Sequence, residues 1–170
     1  INKLGAKDYL IKTDFNPDEV VEKVRNALGV KGGGKDGKAQ NKEKSIENTT
    51  ILIVEDDKFL RDLMEQKLLQ TGYKVLTAPD GEEGLETVKK EKPDLVLLDI
   101  LLPAMSGWEV LEKITSDDDI KHIPVLILTN LGDKDDISKG VNLGAKDYII
   151  KANFTPGEIV EKIQKCLKEN

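Results

Sequence analysis

Several polar residues in this chain each close an apolar run. Glu55-Asp56-Asp57 follows Ile51-Leu52-Ile53-Val54, and Asp99 follows Leu95-Val96-Leu97-Leu98. Thr129 follows Val125-Leu126-Ile127-Leu128, and Lys151 follows Tyr148-Ile149-Ile150. Carboxylates gathered at one place repel one another unless a counter-charge is present. A hard divalent cation supplies it, because Mg2+ takes oxygen ligands and keeps several of its waters. A carboxylate beside Mg2+, with a hydroxyl and an ammonium near it, is equipped to receive a phosphoryl group. Metal and ammonium neutralise the charge on the transferring oxygens. Asp99 is the candidate nucleophile, and the product is an acyl phosphate.

These residues work together only if the fold brings the ends of their runs to one rim. Short continuous apolar runs suit strands buried on both faces of a parallel sheet. Strands are predicted at 51–54, 73–78, 94–98, 124–129 and 148–150, with helices at 59–70, 81–91, from 108 to 114, near 134–143 and from Thr155-Pro156 onward. Leu60, Leu63, Met64, Lys67 and Leu68 lie near one face of the first helix. Ile159, Ile163, Cys166 and Leu167 form the face of the last. Such alternation gives an α/β doubly wound sheet with right-handed crossovers. In open parallel sheets, ligands sit beyond the carboxyl ends of the strands, which is where every candidate residue lies.

The first part of the chain differs from the rest. Residues 1–50 carry a charge of +2 and residues 51–170 a charge of −8, within a net −6 that argues against general nucleic-acid affinity. Residues 4–12 read LGAKDYLIK and residues 143–151 read LGAKDYIIK, and the match runs on through Phe15/Phe154, Pro17/Pro156, Glu19/Glu158 and Leu28/Leu167 at a constant offset of 139. Residues 1–28 are therefore expected to be a partial strand–helix unit, duplicated from the end of the domain at 50–170. Residues 29–49, rich in Gly and Lys, read as a flexible linker with a reach of about 25 Å. Cys166 is the single cysteine, which excludes an internal disulfide framework, fits a cytoplasmic location and places the thiol on a buried helix face. No apolar run reaches the ~20 residues of a membrane span. His122 reads as a surface loop residue, Asp117-Asp118-Asp119 as a solvated loop, and Trp108 as packed beside the core. Gly81, Gly84 and Gly107 lack the spacing of a phosphate-cradling loop.

Residues 50–168 resemble a response-regulator receiver domain of two-component signalling. The resemblance rests on ILIVEDD at 51–57, LLDILLP at 97–103 with Gly107, ILT at 127–129, and GAKDYIIK at 144–151. It implies a flavodoxin-like five-stranded parallel sheet in the order 2-1-3-4-5 with five helices. It implies that Asp99 accepts phosphate from a histidine kinase or a phosphotransfer protein. Asp56, Asp99 and the backbone carbonyl of Leu101 would bind Mg2+, with Glu55 acting through a metal-bound water. Thr129 and Lys151 would contact the phosphoryl oxygens. Tyr148 would be the aromatic that moves with Thr129 and so switches the face made by the fourth helix, fifth strand and fifth helix toward a downstream protein. No direct nucleic-acid contact and no membrane are expected, and a homodimer is possible through exchange of the duplicated unit.

Two positions depart from the family pattern. Ala152 stands where the family usually has Pro joined by a cis bond. A cis bond before a residue other than proline costs about 2.5–4 kcal/mol, so a trans or strained bond is expected and a less rigid Lys151 with it. Asn130 follows Thr129 in place of a small residue and narrows access to Asp99. The apolar Leu101 and Leu131 flank the site and are expected to slow attacking water. The competing readings are an inert receiver-like scaffold or dimerisation domain, and an Asp-nucleophile phosphohydrolase. Leu101 counts against the second, because it stands where such enzymes place an acid/base Asp. The expected role is a phosphoacceptor, not a turnover enzyme.

Overall fold

A computed structural model describes residues 46–169. The unit expected at 1–28 and nearly all of the linker expected at 29–49 lie outside the described residues. A 3-10 turn, Ile46–Asn48, leads into β1 (Thr50–Val54), α1 (Lys58–Thr71), β2 (Lys74–Ala78), α2 (Gly81–Glu91) and β3 (Leu95–Leu98). There follow α3 (Gly107–Ser116), β4 (Val125–Thr129), α4 (Lys134–Asn142), β5 (Asp147–Ile150) and α5 (Pro156–Lys168). All strand pairs are parallel, in the order β2-β1-β3-β4-β5. This is the flavodoxin-like order expected from the sequence.

Side chains on a strand point alternately to the two faces, and each face has its own core. Ile51, Ile53, Leu95, Leu97, Leu126, Leu128 and Ile149 pack with Met64 and Leu68 of α1 and with Ile159, Val160, Ile163 and Cys166 of α5. Leu52, Val54, Val96, Leu98, Val125 and Ile127 pack on the opposite face with Leu85 and Val88 of α2 and Val110, Leu111 and Ile114 of α3. Leu63 departs from expectation. It is 39% exposed because it lies at the rim of the α1 face, over a shallow groove toward Pro156 and Gly157. Leu167 is likewise only partly buried, and Val160 takes the central place beside Ile159.

Most helix starts are fixed by side chains that accept otherwise unpaired backbone N–H groups. Asp57 accepts from Phe59 N and Leu60 N at the head of α1. Capping boxes open α3, through Ser106 and Glu109, and α5, through Thr155 and Glu158 with Pro156 in the first turn. Both carboxyls are held below the usual range, Glu109 first by the Ser106 hydroxyl and Glu158 first by the Thr155 backbone N–H. Asp133 at the head of α4 makes no such bond, and Gly140 is the buried residue of that helix. Cys166 is buried as expected, and burial pushes its thiol up, away from reactivity.

Candidate functional site

Strand register assembles the site. Val54 pairs with Leu98, so Glu55 and Asp99 leave the sheet at one level. Asp99 N donates to Val54 O at 2.9 Å, and Glu55 N to Ala78 O at 3.1 Å, extending the ladder to the edge of the rim. Thr129 pairs with Ile150, which sets Lys151 just beyond it. By alternation, Glu55, Asp99 and Lys151 continue the α1/α5 face, whereas Thr129 and Tyr148 continue the face covered by α2, α3 and α4.

The acids and the lysine are in direct contact. Lys151 Nζ lies 2.6 Å from Asp99 Oδ2 and 2.7 Å from Glu55 Oε2. Asp99 Oδ1 accepts from Ile100 N at 2.6 Å and Leu101 N at 3.2 Å. Glu55 and Asp99 are buried, at 4% and 5% exposure, and Asp56 is exposed. Burial pushes the Glu55 carboxyl above its ordinary value, against the opposing pull of Lys151. Burial works against the Lys151 ammonium, but its bonds to Asp99 and Glu55 outweigh that and raise it. The chain contains no cis peptide among the described residues, so the Lys151–Ala152 bond is trans. Without the family's proline, Lys151 is nevertheless fixed, because its ammonium is held between two carboxylates.

The carboxylates of Glu55, Asp56 and Asp99 each offer an oxygen within 4.8 Å of the others. Glu55 Oε1 is buried with no hydrogen-bond partner. A buried carboxylate oxygen left unpaired is costly. An all-oxygen set with one open acceptor therefore fits a hard cation and its waters. Asp57, the third residue of the acidic run, is spent on capping α1.

Sequence reading missed one part of the site. Arg61 of α1 reaches back to donate to Glu55 O at 2.5 Å and to Asp56 O at 3.2 Å. Its place, one turn into a helix after an acidic loop, was the available signal. Gly107, part of the motif that carries the resemblance, shapes the loop after Asp99. A Cβ at Gly107 would collide with the Asp99 carbonyl oxygen and the Ile100 backbone, so the loop after Asp99 folds tightly only over a glycine. Gly107 N closes that loop by donating to Ile100 O at 3.0 Å.

The other side of the rim is built differently. Thr129 is wholly buried, and its Oγ1 accepts from Leu131 N at 3.5 Å. Tyr148 OH donates to Leu131 O at 3.1 Å. Burial, with Asp136 and Asp99 adding to it, pushes the Tyr148 hydroxyl up to about 12. Asn130 is exposed, Leu131 is half-buried and the Leu101 side chain is 57% exposed. Lys139 Nζ of α4 sits 4.6 Å from the centroid of the Trp108 ring at the start of α3. His122 is exposed, as expected of a loop residue.

Comparison with known proteins agrees with this fold. The family model described as "Response regulator receiver domain" matches residues 51–164. The chain belongs to the response regulator receiver family. It is 42% identical over 118 residues to a probable transcriptional regulator, ycf27, of Guillardia theta, covering 69% of this chain and 45% of that protein. Among solved structures, a CheY-like receiver domain protein of Methanospirillum hungatei is 35% identical with a TM-score of 0.67, covering 71% of this chain and 94% of that one. The response regulator Rcp1, solved in a Mn2+-bound form, is 31% identical with a TM-score of 0.57, covering 61% of this chain and 81% of its own. This receiver is thus a two-component phosphoacceptor module with an acidic cluster able to hold a metal. The chain spans about half the length of the curated relatives it matches. Those relatives are named as transcriptional regulators, so the expectation of no direct nucleic-acid contact gains no support from them. No helix among the described residues is long and apolar enough to cross a membrane.

Proposed function

We propose that this receiver accepts a phosphoryl group on Asp99 in a Mg2+-dependent step, from a histidine kinase or a phosphotransfer protein. The observation that carries this reading is Lys151 bridging Asp99 Oδ2 and Glu55 Oε2 beside the unpaired Glu55 Oε1. Asp56, Asp99 and the Leu101 carbonyl would hold Mg2+, with Glu55 acting through a metal-bound water. The bound ion would supply charge neutralisation for the incoming phosphoryl oxygens. Lys151 then stays on the phosphoryl group it helped to admit, and Thr129 donates its hydroxyl to another oxygen. The Mn2+-bound form of Rcp1 supports a divalent cation here.

Movement of Thr129 toward the phosphoryl group would stretch the long bond its Oγ1 accepts from Leu131 N and so reach Tyr148 through the same residue. The face of α4, β5 and α5 would pass the change to a downstream protein, in the cytoplasm. Such a module loses its phosphate slowly and turns over no substrate. Leu101 and Leu131 flank the site and exclude water, so replacing both with polar residues should shorten the half-life of the phosphorylated form; an unchanged half-life rules this role out.

On this proposal the unit read at residues 1–28 is a partial receiver-like duplicate of the end of the described domain, joined to it through the linker at 29–49. In the described copy, Lys162 pairs with Asp147 at 2.7 Å and lies 5.2 Å from the centroid of the Phe154 ring. The matching residues Asp8, Phe15 and Lys23 are all present in the first copy. Chemistry tests the central reading. After incubation with Mg2+ and a small phosphodonor, the adduct should be labile to hydroxylamine, as an acyl phosphate is, and should map to Asp99. A hydroxylamine-stable adduct would place the phosphate on another residue type.

A further inference from the structure

We propose that Arg61 is a positioning residue for cation binding, clamping the backbone that carries two of the three acidic side chains. This rests on the reading that the acidic cluster holds a divalent cation.

Arg61 is fixed at its base, since its N–H donates to Asp57 O at 2.9 Å in the first turn of α1. Its guanidinium reaches back to the carbonyls of Glu55 and Asp56, at 2.5 Å and 3.2 Å. Three carboxylates whose oxygens lie within 4.8 Å of one another repel, and the loop bearing two of them would relax outward if nothing held it. The guanidinium opposes this in two ways. It ties down the two carbonyls, and it places a permanent positive charge beside the cluster.

The choice of acceptor is what separates Arg61 from Lys151. Lys151 bonds carboxylate oxygens, Glu55 Oε2 and Asp99 Oδ2, which lowers the repulsion by occupying potential ligand atoms. The Arg61 hydrogen bonds go to main-chain oxygens, and Glu55 Oε1 is left without a partner. One cation therefore competes with a metal for oxygens, and the other organises the loop without consuming them. Both bonds come from one guanidinium nitrogen, Nη1; a lysine at position 61 would keep the charge but put a shorter stem and a freely rotating ammonium in place of that rigid planar group.

Isothermal titration of the full chain with Mg2+ tests this, comparing wild type, Arg61→Lys, Arg61→Met and Thr155→Ala. Thr155→Ala removes the cap of α5, whose bonds to Glu158 involve no residue of the acidic loop, and controls for loss of stability. Groups that orient metal ligands typically change metal affinity about 10–100-fold when replaced. Arg61→Met should weaken Mg2+ binding by about 10-fold or more. Arg61→Lys should fall between it and wild type, and Thr155→Ala should bind as wild type does. Saturating Mg2+ should restore phosphoryl uptake in the Arg61 variants. Wild-type affinity in Arg61→Met overturns the proposal, as does an equal loss in Thr155→Ala. If Arg61→Met does not fold, Arg61→Lys decides, and wild-type affinity there overturns it. A wild-type chain that binds no Mg2+ overturns the cation reading as well, whereas normal binding by both wild type and Arg61→Met overturns this proposal alone.

Discussion

The two sides of the rim are held by unlike means. On the α1/α5 side, Glu55, Asp99 and Lys151 are locked by ion pairs, by backbone N–H groups on Asp99 Oδ1 and by Arg61 on the loop carbonyls. The neighbouring helices are capped by side chains; α1 buries Met64 and Leu68, and α5 buries Ile159, Val160, Ile163 and Cys166. On the other side, Thr129 and Tyr148 meet through Leu131, beneath α4, whose start has no side-chain cap and whose Val141 is 60% exposed. The difference teaches a division of labour. Chemistry needs carboxylates fixed against their own repulsion, and a response needs a helix that little packing restrains. In this receiver, the sheet's alternation assigns each task to one face.

Lys151 ties Glu55 to Asp99 across the buried acidic pair, so its loss should have the largest effect on stability. Removing one partner of a buried pair strands the other charge and costs about 3–5 kcal/mol. Lys151→Met should lower stability in metal-free buffer by about 3 kcal/mol at neutral pH, measured by urea unfolding. Mg2+ should recover part of it by supplying the missing charge. A variant as stable as wild type without metal would mean that the acids are not held in the way described.

A pair of glycines sharpens the contrast. At Gly107 an added Cβ meets main chain, which has nowhere to go. At Gly140 it meets the Ile127 and Tyr148 side chains at 2.8 Å and 2.9 Å, under a helix that can shift. Gly107→Ala should therefore cost about 2–3 kcal/mol and weaken Mg2+ binding, while Gly140→Ala costs about 1 kcal/mol and leaves it unchanged. Equal losses in parallel denaturant titrations would break the distinction between a rigid and a yielding side.

Most of the rigid side was legible in the sequence. Uninterrupted apolar runs gave the strands, and the residues that ended them gave Glu55, Asp56, Asp99 and Lys151, with Thr129 on the opposite face. Less visible were contacts made by reach. Arg61 acts through a long side chain folded back onto carbonyls, and no spacing rule encodes that. Asp57 looked equal to its acidic neighbours, yet capping claimed it, because the helix starts one residue later. The weak hold on α4 was hidden too. Ile137 and Val141 are its two large apolar residues, and that Val141 is left 60% exposed emerges only when the sheet is built.

The smallest expected effect concerns Tyr148. Tyr148→Phe removes a single hydrogen bond to Leu131 O, worth about 1 kcal/mol, and should leave Mg2+ affinity unchanged. It also changes the alkaline limb. The native hydroxyl titrates at about 12 against an ordinary 10.0, so the unfolded chain loses its proton first. Its stabilising contribution is complete below pH 10 and is lost as pH rises toward 12. The stability of Tyr148→Phe should fall less over that interval in pH-dependent denaturation; parallel curves would mean the hydroxyl is not held by its surroundings.

The central claim is that Asp99 accepts phosphate with help from a cation bound by its acidic neighbours. Intact mass after incubation with a small phosphodonor measures this directly, in Mg2+ and in EDTA, on wild type and on Asp99→Asn. One phosphoryl adduct on wild type in Mg2+, and none in EDTA or on Asp99→Asn, is the predicted result. No adduct on wild type, or an adduct of equal yield on Asp99→Asn, would contradict the account.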